Sequence, residues 1–278
     1  MIPFWPLFLA AVVAGFVGAL DGIGGAVVLV PILTMAGVDI REAIAIGSIS
    51  AVSISNSAAP NFLRRHLPNL KLGGVLELFA IVGAIIGSVL TGMTSRHFLF
   101  LFCGISLIIS WFALWRAWRI KPHLTAMEDA ALYKQTMLVG SYYDSEIGKT
   151  VVYEGRHPYW GSLCMFGVGL MGGLLGGGSS VFTVLVIDLV IGFPTKVALT
   201  MSNLMMGTVA LASLSIYLEK GLIDAKWMIP TVLGTSIGAM LGSRLLWQLK
   251  GRVVRSIFLC VLIVLGLEMI YNGQVLSR

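Results

Sequence analysis

An internal repeat with a spacing of 155 residues is the feature that most constrains this chain. When the sequence is shifted by 155 positions, five glycines in the first half coincide with five in the second half without a gap. These pairs are Gly18/Gly173, Gly22/Gly177, Gly37/Gly192, Gly83/Gly238 and Gly87/Gly242. Random placement would align only about one or two pairs, so the chain reads as two copies of one unit. Each copy opens with a glycine-rich break in an apolar segment, and paired breaks of this kind indicate a binding site in membrane proteins.

The amino-acid composition indicates a membrane protein. Hydrophobic residues make up 57% of the chain and charged residues only 12%, whereas a soluble domain carries about 25% charged residues. Several apolar runs reach the roughly 20 residues that cross a bilayer as a helix. The net charge of +6 does not indicate a nucleic-acid partner, because the basic residues lie at the ends of apolar segments, where they orient a chain in the membrane.

Apolar runs and their boundaries predict the same series of helices in both copies. The first copy has apolar arms at 4–20 and 26–36 around a break at 21–25, then helices at 41–62, 72–93 and 97–118. The second copy has arms at 160–175 and 181–191 around a break at 176–180, then helices at 195–218, 226–248 and 252–272. The predicted fold is an all-α integral membrane protein of two inverted repeats, each a glycine-broken re-entrant helical hairpin plus three transmembrane helices.

The chain divides into a first membrane repeat at 1–118, a polar linker at 119–158 and a second membrane repeat at 159–278. Within the linker, TAMEDAALYKQ predicts a short amphipathic helix and SYYDSEIGKTVVYEG predicts a small hairpin around Gly148. The linker is either a connection that lets the second repeat enter the membrane from the correct side or a surface that binds a regulator.

Loop charges predict the orientation of the two copies, because basic loops stay in the cytoplasm. Loop 63–71 contains three basic residues and is placed inside, as is the start of the linker 119–158. Loop 219–226 is neutral and loop 244–255 carries four basic residues. These two loops fall outside and inside, respectively, only if each glycine-broken pair returns to its own side as a hairpin. The copies are then inverted relative to each other, and both termini lie outside.

The glycine breaks are the predicted substrate-binding site. Glycine allows a turn and a close approach of the backbone, and the helix after each break begins with free N–H groups and the positive end of its dipole. Two such N-termini can converge on an anion near mid-membrane. The predicted site residues are Gly22, Gly24, Gly25 and Ala26 in the first copy and Gly177, Gly178, Ser179 and Ser180 in the second. Close helix packing is the competing role of small residues, and we assign it to Gly83, Gly87, Gly238 and Gly242.

Four polar residues near the breaks are further candidates. Ser48 and Asn203 coincide under the shift of 155 residues, and equal depth would place both beside the hairpin tips as neutral donors to an anion. Hydrogen bonding between helices is their alternative role. Asp21 and Asp188 are acidic residues within membrane segments and are candidates for proton coupling. The alternative for Asp21 is to cap the helix after the break.

Catalysis and metal binding are not expected. All four histidines lie at helix ends or in the linker, so none is available for Ser–His catalysis at the depth of Ser179. The cysteines Cys103, Cys164 and Cys260 form no CxxC or Cys/His cluster, so neither a disulfide framework nor a zinc site is predicted. The chain is therefore not expected to be an enzyme or to need a cofactor.

Four stretches carry a resemblance to a known family. They are GFVGALDGIGGAVVLVPILTMAGVDIREAIAIGS, its partner GLMGGLLGGGSSVFTVLVIDLVIGFPTKVALTMSN, and the later GAIIGSVL and GAMLGSRL. Together they resemble the sulfite exporter TauE/SafE family over both copies. The resemblance implies a multi-pass transporter of the bacterial inner membrane for sulfur-containing anions such as sulfite or an organosulfonate, with both termini periplasmic and the linker cytoplasmic.

The combined prediction is an exporter of a small sulfur-containing anion that works by alternating access at a mid-membrane site between the two glycine-rich hairpin tips. The expected partners are the anionic substrate and the lipid bilayer, with no nucleic acid, and a homodimer is compatible with this interpretation. Two alternatives stay open. One is a passive anion channel, and the other is a membrane assembly or partner protein that acts through the linker 119–158.

Overall fold

The structure, a computed structural model, describes residues 4–21, 24–63, 69–119, 139–144, 149–177, 179–245 and 251–275. The first repeat contains α1 (Phe4–Asp21), α2 (Ala26–Met35), α3 (Ile40–Leu63), α4 (Leu70–Met93) and α5 (Arg96–Arg119). The second contains α6 (Pro158–Leu175), α7 (Ser180–Leu185), α8 (Thr195–Glu219), α9 (Ala225–Leu245) and α10 (Gly251–Val275). A π-helical segment, Val186–Val190, follows α7 directly and completes the second arm of that hairpin.

The helices of the second repeat begin within one residue of the positions 155 after their counterparts. Local backbone features recur in the same register. Asn69 caps α4 by accepting a hydrogen bond from the Leu72 N–H (3.2 Å), and the equivalent Asp224 accepts one from the Lys226 N–H (3.0 Å) ahead of α9. Gly37 and Gly192, which follow the short second arms, both have a positive φ, of 84° and 83°. The glycine spacing in the sequence therefore extends to the whole series of helices and turns.

The linker contains a two-stranded antiparallel sheet formed by β1 (Val139–Asp144) and β2 (Lys149–Glu154). The predicted hairpin in this region is thereby confirmed, although its turn at 145–148 lies outside the described residues. The predicted amphipathic helix TAMEDAALYKQ also lies outside them.

Four helical stretches among the described residues are long and apolar enough to cross a membrane: Ile40–Asn61, Lys71–Met93, Pro158–Leu175 and Val197–Glu219. The third of these is the first arm of the second hairpin, which the sequence predicts at 160–175 as one arm of a re-entrant hairpin rather than as a crossing. In the structure α6 has 18 residues, which corresponds to about 27 Å. Only the second arms are short, since α2 has 10 residues.

The first and last residues of the second hairpin lie next to each other. The Arg156 N–H, just before α6, donates a hydrogen bond of 2.7 Å to the carbonyl of Ile191, just after the π-helical segment. The two arms differ in length, because α6 rises about 27 Å and residues 180–190 return only about 16 Å. The break between the two arms covers the remaining length, because its chain runs partly back along α6.

Helices of one repeat pack against helices of the other: α1 packs along α9, and α4 packs along α6. Glycines allow this close contact. A Cβ atom at Gly83 or Gly87 of α4 would collide with the carbonyl oxygens of Phe166 and Leu170 in α6. The equivalent Gly238 and Gly242 of α9 lie in the same way against the carbonyl oxygens of Val12 and Phe16 in α1. The packing role predicted for these four glycines is confirmed.

Equivalent helices of the two repeats pack antiparallel to each other. The Ser55 hydroxyl in α3 donates a hydrogen bond of 3.2 Å to the Leu204 carbonyl in α8, whereas the earlier Ala51 and the later Ala210 both lie beside Gly177. The pair α5 and α10 behaves likewise. His97 at the start of α5 hydrogen-bonds to the Gly273 carbonyl at the end of α10 (2.6 Å).

Substitution of Gly83 by alanine should destabilise the protein, because the added methyl group meets the backbone of α6. Gly74 is the matched control in the same helix, since a Cβ there has no atom within 4 Å. We expect Gly83→Ala to lower the free energy of unfolding by about 1–3 kcal/mol and Gly74→Ala to raise it by up to about 1 kcal/mol. Thermal denaturation of the purified variants in detergent measures both, and equal melting temperatures would contradict the packing described above.

Candidate functional site

The two glycine breaks meet inside the protein. Gly24 of the first break has a φ of 83° and Gly177 of the second a φ of 85°, a left-handed conformation that glycine adopts at little cost. A Cβ atom on Gly24 would lie 3.2 Å from the Ser180 hydroxyl and 3.3 Å from the Gly177 carbonyl oxygen. The same atom would lie 2.5 Å from the sulfur of Met206. The absence of a side chain at Gly24 therefore lets the two breaks touch.

Helix α3 supports both breaks. A Cβ atom at Gly176 would collide with the Ile44 carbonyl oxygen, and one at Gly177 would lie 2.7 Å from the Ala51 Cβ. Further along α3, the side chain of Ile54 would lie 2.5 Å from a Cβ at Gly25 of the first break. The breaks thus lie against the middle of a helix whose residues between Ala43 and Ala51 are buried.

The second break runs back along the helix that precedes it. Gly176 ends α6 with a φ of 66°, and the Gly177 N–H donates a hydrogen bond of 3.0 Å to the Gly172 carbonyl. Ser179 then lies beside Gly172, where a Cβ would be 2.6 Å from the serine hydroxyl oxygen. This path places the start of α7 beside α6 rather than beyond its end.

The short second arms begin with N–H groups that no capping side chain uses. Gly25 and Ser179 are the N-cap residues of α2 and α7, and neither makes a side-chain capping hydrogen bond. In α2 the N–H groups of Val28 and Leu29 both bond to the Gly25 carbonyl. Ser179 does not use its hydroxyl to cap its own helix, which was one of the two roles open to it.

A small cavity lies beside the meeting point of the breaks. Its polar lining comes from Gly177, Ser179, Ser180 and Thr183. The remaining lining residues are apolar or glycine: Ala80, Met165, Val168, Gly169, Met205, Met206 and Val209. The cavity has room for about one water-sized group, so an oxyanion enters only if the surrounding helices move apart. Three of the predicted site residues line this cavity, and Gly24 abuts it through Ser180.

Ser48 and Asn203 do not share one depth, contrary to the sequence-based expectation. The bond from Ser55 to Leu204 sets Asn203 level with the residues that follow Ser55 in the antiparallel α3. Ser48 lies seven residues before Ser55, so the two positions are roughly 10 Å apart along the helix axes. The helices α3 and α8 run in opposite directions. Two residues that are 155 positions apart in the sequence therefore share a depth only at the point where these helices cross.

Each of these two residues lies near the short arm of its own repeat. Gly47, next to Ser48, lies against α2, since a Cβ there would be 3.2 Å from the Ala26 Cβ. Ser202, next to Asn203, donates a hydrogen bond of 2.9 Å to the Ser180 carbonyl.

The side chains of Ser48 and Asn203 are both buried. The Ser48 hydroxyl makes only a long bond of 3.4 Å to the Ile44 carbonyl. The Asn203 amide donates to the Leu199 carbonyl at 3.2 Å, while its side-chain oxygen has no hydrogen-bond partner among the described residues.

The remaining candidates are placed less closely, or lie outside the described residues. Gly22 and Gly178 are outside the described residues, and Asp21 ends α1 with a side chain that is likewise outside them. Asp188 lies in the π-helical segment, eight residues after Ser180 and therefore roughly 12 Å along the arm from the meeting point.

Thr183 and the three cavity methionines are site residues that the sequence reasoning missed. Thr183 lies one turn after Ser180, so the helical period from the predicted serines could have indicated it. No local signal marks Met165, Met205 and Met206, because methionine fills apolar cores in many helices.

The described helices and the meeting point of their breaks define a multi-pass helical membrane protein. Comparison with known proteins gives its class as a membrane transporter. The chain belongs to the sulfite exporter TauE/SafE family, whose family model matches residues 7–269. This is a family of membrane transporters rather than enzymes.

Two curated relatives agree with this assignment. The probable membrane transporter protein YunE of Bacillus subtilis (strain 168) is 24% identical over 275 residues, which cover 96% of this chain and 97% of that protein. The probable membrane transporter protein ORF9 of Sinorhizobium sp is 31% identical over 84 residues, which cover 30% of this chain and 32% of that protein. No solved structure matches the chain significantly.

Alanine at Gly24 tests the packing of the first break against α8, with Gly37→Ala as the matched control. Both glycines have a φ near 84°, so both substitutions carry the same backbone cost of about 1–2 kcal/mol. Only the methyl group at Gly24 meets Met206, since a Cβ at Gly37 has no atom within 4 Å. We expect Gly24→Ala to reduce the free energy of unfolding by at least about 1 kcal/mol more than Gly37→Ala does.

A double-mutant cycle in denaturation experiments identifies the contact. The excess cost of Gly24→Ala should largely disappear in a Met206→Ala background, because the atom that the methyl group meets has been removed. An excess of the same size in both backgrounds would show that Gly24 does not lie against Met206 of α8.

Proposed function

We propose that this transporter carries a small sulfur-containing anion, such as sulfite or an organosulfonate, through the meeting point of its two glycine breaks. The observation that carries the proposal is the contact of Gly24 with Ser180 and Gly177, which brings the starts of α2 and α7 together. Helix N-termini attract anions through their N–H groups and dipoles. The serine hydroxyls of the second break add further neutral donors.

The chemistry of the cavity fits a carrier. Its lining contains hydroxyl groups, backbone and thioether side chains, and none of the lining residues is charged. Neutral donors hold an oxyanion through several hydrogen bonds without the strong ion pair that a buried lysine or arginine would form. An anion bound in this way can also be released. The sulfur in the proposed substrate comes from the family description, not from the geometry.

Inverted repeats and alternating access are part of the proposal. The antiparallel packing of α3 with α8 and of α5 with α10 supports inversion, because these pairs are equivalent in the two repeats. The small size of the cavity supports a cycle in which the repeats move relative to each other to admit the anion. Two equivalent halves that exchange conformations open the same site first to one side and then to the other.

The different depths of Ser48 and Asn203 refine the predicted site. In this proposal the anion contacts Asn203 when it approaches along α7 and Ser48 when it leaves along α2. Each residue thus serves one half of the pathway, and the meeting point between them serves both. Export is the direction that we propose, with the linker in the cytoplasm, both termini in the periplasm and the protein in a bacterial inner membrane.

Ser180→Ala should weaken anion binding, because it removes a hydroxyl from the cavity wall. A hydrogen bond to a charged group contributes about 1.5–3 kcal/mol, so we expect the dissociation constant for sulfite to rise by at least about tenfold. Ser215→Ala is the control, because Ser215 is exposed in α8 and bonds only to the Ala212 carbonyl of its own helix.

The measurement is the rise in melting temperature of each purified variant as sulfite is added, since a ligand of the folded state stabilises it by mass action. Sulfate, sulfoacetate and a simple carboxylate serve as comparison anions. Equal sulfite affinities in Ser180→Ala and the wild type would contradict the site. In liposomes, accumulation of sulfite against its gradient would exclude the passive channel.

Cysteine labelling tests the proposed orientation. Asp224 and Arg156 are both exposed, and the proposal places them on the periplasmic and cytoplasmic sides, respectively. In a background with Cys103, Cys164 and Cys260 replaced by alanine, a membrane-impermeant maleimide should label Asp224→Cys in intact spheroplasts. It should label Arg156→Cys only after the membrane is opened. The reverse pattern would invert the topology.

A further inference from the structure

A carboxyl group that the sequence analysis left without a role lies within the membrane span of α4. Glu77 is six residues inside the span Lys71–Met93, which corresponds to about 9 Å from its start. Its carboxylate accepts a hydrogen bond from the Thr208 hydroxyl of α8. Thr208 is itself eleven residues inside the span Val197–Glu219. Acidic residues at such depth are costly and mark functional positions in transporters.

Glu77 lies at the rim of the cavity described above. Its partner Thr208 immediately precedes Val209 in α8 and also donates a hydrogen bond of 2.9 Å to the Met205 carbonyl. Met205 and Val209 both line the cavity, as does Ala80, one turn after Glu77 in α4. Thr208 and Ala80 therefore connect the Glu77 carboxylate to the lining of the cavity. The Glu77 side chain is partly buried.

The helices around Glu77 supply little charge to balance it. No ion pair among the described residues includes Glu77. Lys220 at the end of α8 bonds instead to the Val89 carbonyl at 2.9 Å, and Lys71 is exposed at the start of α4. Lys196, whose side chain lies outside the described part of the chain, is twelve residues before Thr208, roughly 18 Å along α8. The other titratable residues of the adjoining helices are Tyr159 and Cys164 in α6 and Tyr217 and Glu219 in α8.

The charge of the Glu77 carboxyl group affects how well an anion binds in the adjoining cavity. An ionised Glu77 repels an anion in the adjoining cavity, and the repulsion is strong because the surroundings are poor in water. A protonated Glu77 removes the repulsion and keeps a hydrogen bond to Thr208. Thermodynamic linkage requires the effect to be mutual, so an anion that binds better to the protonated form also favours protonation.

We propose that Glu77 is the proton-coupling residue of this transporter, and that its carboxylate takes up one proton when the anion binds and releases it when the anion leaves. This inference rests on the proposed function of the cavity. It assigns the proton role, for which Asp21 and Asp188 were the candidates from the sequence, to a residue beside the cavity. One proton accompanies each anion, so a monovalent anion crosses without net movement of charge.

The test compares anion affinity over a range of pH in full-length protein. Sulfoacetate is the probe, because both of its acidic groups stay ionised between pH 6 and pH 8.5, and melting temperature against concentration gives the affinity. The wild type should bind sulfoacetate at least tenfold more tightly at the lower pH. Glu77→Gln, a neutral side chain of the same shape, should bind with the higher affinity at both ends of the range.

Two control variants sharpen the result. Glu268→Gln alters another acid within a helix, one that accepts a hydrogen bond from Asn272 in α10 away from the cavity, and it should keep the pH dependence of the wild type. Glu77→Asp retains a carboxyl group at the cavity rim and should keep it too.

The outcomes separate this inference from the proposed function. A pH dependence that is the same in Glu77→Gln and the wild type overturns the role of Glu77 and leaves the anion site in place. Loss of the pH dependence in Glu268→Gln as well overturns the role of Glu77, since the effect would then not be local. Absence of any anion-induced stabilisation of the wild type, at any pH and with sulfite as well, overturns both proposals.

Discussion

Close backbone contact at glycine is the physical constraint on which the rest of this structure depends. Between apolar helices in a bilayer there is no hydrophobic driving force, so association rests on van der Waals packing and hydrogen bonds. Gly83 and Gly87 in α4 let the backbone of α6 approach, and Gly238 and Gly242 do the same for α1 against α9. Each glycine-broken hairpin is therefore held by a helix of the opposite repeat.

The candidate site also forms because glycine has no side chain. Gly24 brings the first break against Ser180 and Gly177 of the second, and α3 holds both breaks at its middle. The result is a meeting of two helix starts with neutral donors and an uncharged cavity beside it. A fixed cation would bind an oxyanion too firmly for a carrier. In our proposal the charge is balanced instead by a proton on Glu77, which comes and goes with the anion.

Much of the fold could be predicted from the sequence, because membrane helices are encoded by local signals. The apolar runs predicted the helices to within a few residues, and the paired glycines indicated both the breaks and the packing contacts. Errors arose where a conclusion needed the relative position of two helices. Ser48 and Asn203 were expected at one depth, yet antiparallel packing separates them. No role was predicted for Glu77, because its bond to Thr208 becomes visible only in the fold.

The sequence by itself determined the membrane class, the duplication, the places where the helices break and the family. Each of these follows from composition or spacing along one chain, since apolar length selects a spanning helix and consecutive glycines interrupt it. Only the tertiary structure decided which groups meet. In the fold, a helix of each repeat packs along the hairpin of the other repeat, Gly24 lies beside Ser180, and Thr208 donates a hydrogen bond to Glu77. These contacts link residues more than 80 positions apart, and they depend on how closely helix backbones approach, which no local pattern records.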